Sequence, residues 1–179
     1  PFGDPIRQQI QSITETLAQH LAPRTPWYHQ IWLEDEETGK QKQQKFDDVE
    51  IDEPIYGKTY LPRKFKSAIA FPGDNCVDLL TNDMGLVALF DEGDKQIHGF
   101  NIYVGGGMGQ SHTDEDTFPK LAELMGYAPV DKIVDVAEKI IMVQRDFGNR
   151  ENRSRARLKY LIHERGIAWF RGKVEEYLG

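Results

Sequence analysis

The amino-acid sequence predicts an α+β fold, a mixed β-sheet flanked by helices. Strand-like runs come first, ending near residue 105, and helix-like runs follow from about residue 130 to the C-terminus. Strands followed by helices are typical of folds in which helices pack on one sheet. A linker helix, a short strand and an acidic loop precede this domain. We therefore divide the chain into a linker region, 1–54, and an α+β domain, 55–179.

The linker region begins with an amphipathic pattern. Residues 5–21 carry apolar side chains at helical spacing, and Asp4 and Pro5 are suited to the cap and first turn of a helix. Prolines end this helix, and YHQIWLE, 28–34, is predicted to be a short strand. Residues 34–53 hold nine acidic residues against three lysines. We expect a solvated surface loop there, with a role in steering a basic partner as the alternative.

The domain itself is predicted from alternating and helical patterns. KSAIAFP (66–72), LVALFD (86–91) and GFNIYVG (99–105) are predicted strands, with DEGDK as the turn between the last two. Helices are expected at 117–125, 130–146, 152–165 and 166–178, with Gly166 separating the last pair.

Composition excludes several classes of function. A net charge of -7 argues against general nucleic-acid binding. No apolar run approaches the roughly 20 residues that span a bilayer. The single cysteine, Cys76, excludes an internal disulfide and fits a reducing compartment. The five histidines show no metal-ligand spacing, so no metal ligand is predicted in this chain. Because the chain begins at Pro1 within polar sequence, we interpret it as a piece of a longer protein.

The segment YLPRKFK, 60–66, places three cations close together. If a strand begins by Lys64, the side chains of Lys64 and Lys66 point the same way, about 7 Å apart. Two neighbouring ammonium groups repel each other unless an anion or a carboxylate lies between them. The pattern indicates an anion site.

Two further stretches favour the same chemistry. YVGGGMGQSH, 103–112, ends a strand in glycines, which allow close backbone approach to a ligand or a tight turn. RDFGNRENRSRARLKY, 145–160, carries six cations against two acids. If it is helical, Arg150, Arg153 and Arg157 share one face, suited to carboxylates or phosphates. A solvated helix with salt bridges to the acidic loop is the alternative.

Several stretches together resemble a known family. IYGKTYLPRKFK, DNCVDLLTND, GFNIYVGGGMG and QRDFGNRENRSRARLKY resemble the siroheme and [4Fe–4S] nitrite/sulfite reductase family, in its sulfite reductase hemoprotein branch. The resemblance covers nearly the whole chain in one colinear order. Lys66 and GMG at 107–109 favour the sulfite branch over the nitrite reductases. The sequences DNCVDLLTNDMG and VGGGMG favour the ferredoxin-dependent type.

This resemblance implies roles for particular residues. Lys64 and Lys66 would lie at the distal face of siroheme, where they neutralise sulfite and supply protons during its six-electron reduction to sulfide. Siroheme is rich in carboxylates, and four arginines would bind them. The glycine backbone would pack close to the macrocycle. The implied cofactor-binding residues are Arg63, Arg150, Arg153, Arg157, Gly105, Gly106 and Gly107.

The resemblance also implies what this chain lacks. The family binds its cluster through four cysteines, so Cys76 alone cannot hold [4Fe–4S]. We expect 55–179 to be the siroheme-facing domain, the first of two such repeats in a longer parent, and inactive by itself. The implied partners are sulfite, the rest of the polypeptide, and ferredoxin or a flavoprotein reductase subunit as electron donor. The expected location is the cytoplasm, or the plastid stroma in a plant. The alternatives are a siroheme nitrite reductase and a non-enzymatic module that binds anions or RNA.

Overall fold

A computed structural model describes residues 3–24, 53–91, 93, 95–112 and 114–179, together with the backbone of 32–34 and 41–43. Helix α1 spans Pro5–His20, and the side chain of Asp4 accepts from the amide of Ile6 at 3.0 Å, as its capping pattern predicts. Strands β1 (Trp32–Glu34) and β2 (Gln41–Gln43) form an antiparallel pair. The rest of the predicted strand 28–34 and most of the acidic loop lie outside the described residues, and Gln41–Gln43 within that predicted loop form a strand instead.

The main sheet has four strands in the order β3-β4-β5-β6. They span Ser67–Ala70, Met84–Phe90, Ile97–Val104 and Glu123–Pro129. Strand β3 pairs parallel with β4, whereas β4–β5 and β5–β6 are antiparallel, so the sheet is mixed as predicted. The three predicted strands correspond to β3, β4 and β5. Burial alternates along β5 from Phe100 to Val104, because successive side chains point to opposite faces of a strand.

Two predictions about local structure are wrong. Residues 117–125 are not helical. Lys120 forms an isolated bridge with Gly107, and the last three residues begin β6, whose pairing with the free edge of β5 outweighs the helical propensity of the segment. The strand after YLPRKFK begins at Ser67 rather than by Lys64, since residue pairing with β4 begins at Ser67 and Met84. Lys64 and Lys66 therefore precede the strand.

Three helices follow the sheet. Helix α2 spans Ile133–Phe147, α3 spans Leu158–Arg165 and α4 spans Ile167–Leu178, with Gly166 between the last two at φ +83°. A 3-10 turn covers Arg153–Arg155. The predicted helices at 130–146 and 166–178 are confirmed, but only the second half of 152–165 is α-helical.

The core lies between the helices and one face of the sheet. Phe100, Ile102 and Val104 of β5 are buried and belong to the same apolar cluster as Ala137 and Ile140 of α2. Helix α1 also contributes, and its buried side chains belong to the same cluster, Ile6 and Leu17. No helix within the described ranges is long and apolar enough to cross a bilayer. This core fixes one end of the sheet, where the segments before β3, after β5 and before α3 meet.

Candidate functional site

A cationic cavity of about 310 Å³ lies where these three segments meet. Its wall is formed by cations from two segments and by small polar residues from the loop after β5. No carboxylate is among the residues that line it. The lining residues are Arg63, Lys64, Arg153, Arg157 and Lys159 with Gly109, Gln110, Ser111, Thr117, Ser154 and Tyr160. We call this site the cationic cavity.

A second, larger cavity adjoins it. This cavity has a volume of about 670 Å³ and shares Arg63, Lys64 and Arg153 with the cationic cavity. Its remaining wall is mainly apolar and is formed by Pro23, Tyr56, Leu61, Pro62 and Phe65. The three shared cations thus form a ridge, with a polar recess on one side and an apolar recess on the other.

The cations of the ridge have no protein partners within the described part of the chain. The side chains of Arg63, Lys64 and Arg153 form no hydrogen bond or ion pair there, and Lys64 and Arg153 are exposed. By contrast, Arg155 pairs with Glu164 at 2.9 Å and is not among the residues that line the cavity. Converging cations without acidic partners favour an external anion.

Arg157 is held rigidly in the wall of the cationic cavity. Its Nη2 donates to Asp83 Oδ2 at 2.8 Å and to the carbonyl of Gly106 at 3.3 Å. Asp83 is fully buried, and its Oδ2 also accepts from the backbone amide of Lys66 at 2.9 Å. Burial raises the pKa of Asp83, while the hydrogen bond and charge of Arg157 oppose that rise.

Lys159 contributes to the wall in a different way. Its Nζ donates to the carbonyl oxygens of Gly107 at 3.2 Å, Gly109 at 2.7 Å and Phe118. An ammonium group has three protons, so these acceptors use all of them. Burial and the charge of Arg157 lower the pKa of Lys159, and Asp83 acts in the opposite direction. Lys159 therefore holds the glycine loop in place and has no proton left for a ligand.

The glycines after β5 are buried among protein atoms. A Cβ on Gly105 would lie 2.7 Å from Ile162, one on Gly106 would lie 2.2 Å from the Leu80 carbonyl oxygen, and one on Gly107 would lie 2.6 Å from Arg157 Nη1. Gly105 also has φ +81°, which favours glycine. The geometry accounts for these glycines by internal packing, and their contact with a macrocycle stays a prediction.

The other predicted site residues lie outside the cavity lining. Arg150 donates to the carbonyl oxygens of Thr59 and Arg145, so it braces the turn before YLPRKFK. Lys66 is exposed and lines neither cavity. The prediction that Arg150, Arg153 and Arg157 share a helical face is wrong, because α3 begins only at Leu158. Arg153 and Arg157 meet at the cavity through the turn instead.

Sequence reasoning missed Asp83 and the role of Lys159. Lys159 stands inside the apolar run LKYLI, and a lysine within such a run is a signal of burial. Asp83 carries a weaker signal, an acid that directly precedes a strand of apolar residues. Its contacts involve residues 17 and 74 positions away, which no local pattern reveals.

The chain belongs to the nitrite and sulphite reductase 4Fe-4S domain family, because the model of that family matches residues 12–179. Among similar proteins, the sulfite reductase [NADPH] hemoprotein beta-component of Staphylococcus saprophyticus is 43% identical over 179 residues. The sulfite reductase [NADPH] subunit beta of Schizosaccharomyces pombe is 46% identical over the same length. Both matches cover 100% of this chain, but they span only 30% and 12% of those relatives.

A solved structure supports the same conclusion about the fold. The structure of Mycobacterium tuberculosis NirA protein is 34% identical with a TM-score of 0.56, covering 72% of this chain and 22% of that chain. The predicted family and α+β fold are confirmed. The lean toward a ferredoxin-dependent type is not supported, since the relatives above are named for NADPH.

Of the family's two cofactors, the residues of this chain suit siroheme but not the [4Fe–4S] cluster. The cationic cavity and its ridge suit a carboxylate-rich ligand such as siroheme. A [4Fe–4S] cluster does not fit, because the chain contains one cysteine, the exposed Cys76. Among the residues that the structure describes, no group of three His, Cys, Asp or Glu side chains could hold a metal ion.

Proposed function

We propose that this chain forms the siroheme-facing wall of a sulfite reductase hemoprotein, with 55–179 as the α+β domain and 1–54 as the linker region. The observation that carries the proposal is the ridge of Arg63, Lys64 and Arg153. These cations have no acidic partner in the described residues and separate a polar recess from an apolar one. An amphipathic ligand with peripheral carboxylates matches such a surface.

The proposed roles divide among three sets of residues. Arg63, Arg153 and Arg157 bind carboxylates, because planar guanidinium groups suit paired oxygens. Lys64 and Lys66 neutralise sulfite and deliver protons to its oxygens. Arg150 and Gly105–Gly107 support the wall. Siroheme supplies, when bound, an iron at which electrons reach sulfite.

The electron donor and location are part of the proposal. Relatives named for NADPH favour an NADPH-linked reductase subunit as donor over ferredoxin. A cysteine count of one agrees with a reducing compartment such as the cytoplasm.

The test uses a protein of the relatives' full length that carries this sequence. Absorption spectra before and after sulfite should show siroheme bands that shift. Lys64→Met and Lys66→Met should each lower sulfite turnover about a hundredfold while the siroheme content stays unchanged, since proton transfer by a positioned side chain is worth that much. Lys132→Met, at an exposed lysine outside both cavities, is the matched control.

The outcomes separate the candidates. Unchanged turnover in both lysine variants would contradict the assigned roles. Faster turnover of nitrite than of sulfite would favour a nitrite reductase. A colourless protein from cells that make siroheme, combined with salt-sensitive RNA binding, would favour the non-enzymatic module.

A further inference from the structure

Asp83 joins the two cationic segments of the site. One carboxylate oxygen, Oδ2, accepts from the amide of Lys66 at 2.9 Å and from Nη2 of Arg157 at 2.8 Å. The backbone carbonyl of Asp83 accepts in addition from the amide of Gly105 at 2.9 Å. A single residue thus contacts the segment before β3, the glycine loop and the start of α3.

The guanidinium of Arg157 has little freedom to move. The side chains of Arg157 and Asp83 are only 12% and 1% exposed. Gly107 has no side chain, and this leaves the space that Nη1 of Arg157 occupies. On its other side, Nη2 of Arg157 donates to the carboxylate of Asp83 and to the carbonyl of Gly106. Any shift of Asp83 therefore moves a group that lines the cationic cavity.

Stability alone does not explain this carboxylate. Asp83 Oδ1 and Arg157 Nε are buried without hydrogen-bond partners among the described residues. Burying an ion pair costs desolvation energy that its mutual attraction often fails to recover, particularly when polar atoms remain unpaired. Burial also raises the pKa of Asp83, so the charged form is disfavoured by its surroundings. A residue of this kind is better explained by the geometry that it imposes.

We propose that Asp83 is a positioning residue for the anion site, which fixes the guanidinium of Arg157 and the Arg63–Lys66 segment against each other so that their charges face one ligand. Asp83 touches no ligand itself and acts through Arg157 and the Lys66 backbone. The proposal rests on the proposed function only for the identity of the anion.

The charge of Asp83 makes the proposal easy to distinguish from a simple electrostatic effect. A carboxylate beside an anion site repels the anion, so removing its charge should strengthen binding if charge alone matters. If Asp83 positions Arg157, the same removal should weaken binding. The two explanations predict opposite signs for Asp83→Asn.

The experiment measures binding of citrate, a small tricarboxylate, to the chain by NMR titration at fixed ionic strength. We expect Asp83→Asn to bind citrate about tenfold more weakly, the effect of one lost charge-assisted hydrogen bond. Glu151→Gln is the matched control, since Glu151 is exposed and lies two residues before Arg153. It removes one negative charge without touching Arg157 and should bind citrate as tightly as the unchanged chain or slightly more tightly.

A double-mutant comparison tests the link to Arg157. If Asp83 acts in part through Arg157, the loss of citrate affinity caused by Asp83→Asn should be smaller in Arg157→Met than in the unchanged chain, and an equal loss in both would overturn that part of the proposal. If Asp83→Asn does not fold, Gly107→Ala displaces the guanidinium of Arg157 and leaves Asp83 in place, so it should also weaken citrate binding, and unchanged binding would overturn the inference. Folded Asp83→Asn that binds citrate as tightly as the unchanged chain would overturn the inference and leave the proposed function standing. An unchanged chain that binds no citrate would overturn both.

Discussion

The interior behind the sheet and the wall of the cationic cavity are built on different principles. Between the sheet and the helices, the core cluster consists of apolar side chains such as Phe100 and Ile140. Of the five buried polar side chains in the described residues, Asp83, Thr117 and Lys159 lie at the cavity or contact its lining, whereas Glu53 accepts from the amide of Arg24 and Gln144 donates to the carbonyl of Ala156. Because buried charge is costly, the placement of Asp83 and Lys159 at this cavity indicates that its wall is arranged in part for a ligand.

Two lysines at the cavity repeat this contrast at closer range. Lys159 is 1% exposed and donates to three carbonyl oxygens, whereas Lys64 is exposed and has no bonding partner in the described part of the chain. A cation saturated by internal acceptors stabilises the wall. A cation without them remains free to bind an anion.

The largest effect on stability is expected in the core. Phe100→Ala should lower the free energy of unfolding by about 3–5 kcal/mol, because a fully buried ring leaves a cavity between sheet and helices. Denaturant unfolding measures this loss. The same substitution at Phe147, which is 38% exposed, is the control and should cost about 1 kcal/mol. The folded fraction of both variants should bind citrate as tightly as the unchanged chain. Equal losses of stability in the two variants would contradict the assignment of Phe100 to the stabilising core.

Lys159→Met is expected to have the next largest effect. Removing the ammonium leaves the carbonyl oxygens of Gly107, Gly109 and Phe118 without this donor, at a cost of about 2–3 kcal/mol. Hydrogen exchange should accelerate in the loop after β5 before it does so in β4. Lys139→Met removes a partly exposed lysine paired with Glu138 and should cost under about 1 kcal/mol. Normal protection of the loop in Lys159→Met would show that Lys159 does not hold it.

Gly107→Ala should affect binding more than stability. Its new Cβ would lie 2.6 Å from Nη1 of Arg157, so the guanidinium must leave its slot. We expect citrate affinity to fall about tenfold, comparable to the loss of one charge-assisted hydrogen bond, with a stability loss of about 1 kcal/mol. Gly109→Ala is a close control, because a Cβ at this position would have no neighbouring atom within 4 Å. Equal affinities in the two variants would mean that the position of Arg157 does not matter.

The fold is largely predictable because its signals are local. The apolar run of β4, the alternation in β5, the helical spacing in α2 and the Asp4 cap are each contained within one short segment. The missed strand β6 shows the limit of this approach. Its strand conformation comes from pairing with β5, which lies about twenty residues earlier in the chain.

The candidate site is predictable in composition but not in arrangement. Arg63, Lys64, Arg153 and Arg157 stand out in the sequence as clustered cations, and all four line the cationic cavity. Their convergence depends on a 3-10 turn and on Asp83, not on the helical face that the spacing predicts. The difference between Lys64 and Lys159 is not visible in the sequence pattern either, since burial of a long side chain is set by tertiary packing.

The smallest expected effect concerns an ion pair outside the cavity. Arg145 donates to Asp146 from Nε at 2.6 Å, and this hydrogen bond lowers the pKa of Asp146 below its ordinary value of 3.8. A carboxyl group whose pKa is lowered by folding stabilises the folded state at pH values above its ordinary pKa. This contribution is lost as the pH falls through the folded-state pKa. Because the Asp146 side chain is 31% exposed, Asp146→Asn should cost under about 1 kcal/mol at neutral pH, with the difference from the unchanged chain shrinking below pH 3.8.

Thermal unfolding as a function of pH measures this difference, with Asp131→Asn at an exposed carboxyl as the control. Citrate affinity should not change in Asp146→Asn, although this pair, like Asp83 and Arg157, joins an aspartate to an arginine. The two pairs differ in burial and in what they hold in place. A fall in citrate affinity as large as that expected for Asp83→Asn would mean that any ion pair on this domain influences the site, and the special role of Asp83 would then be lost.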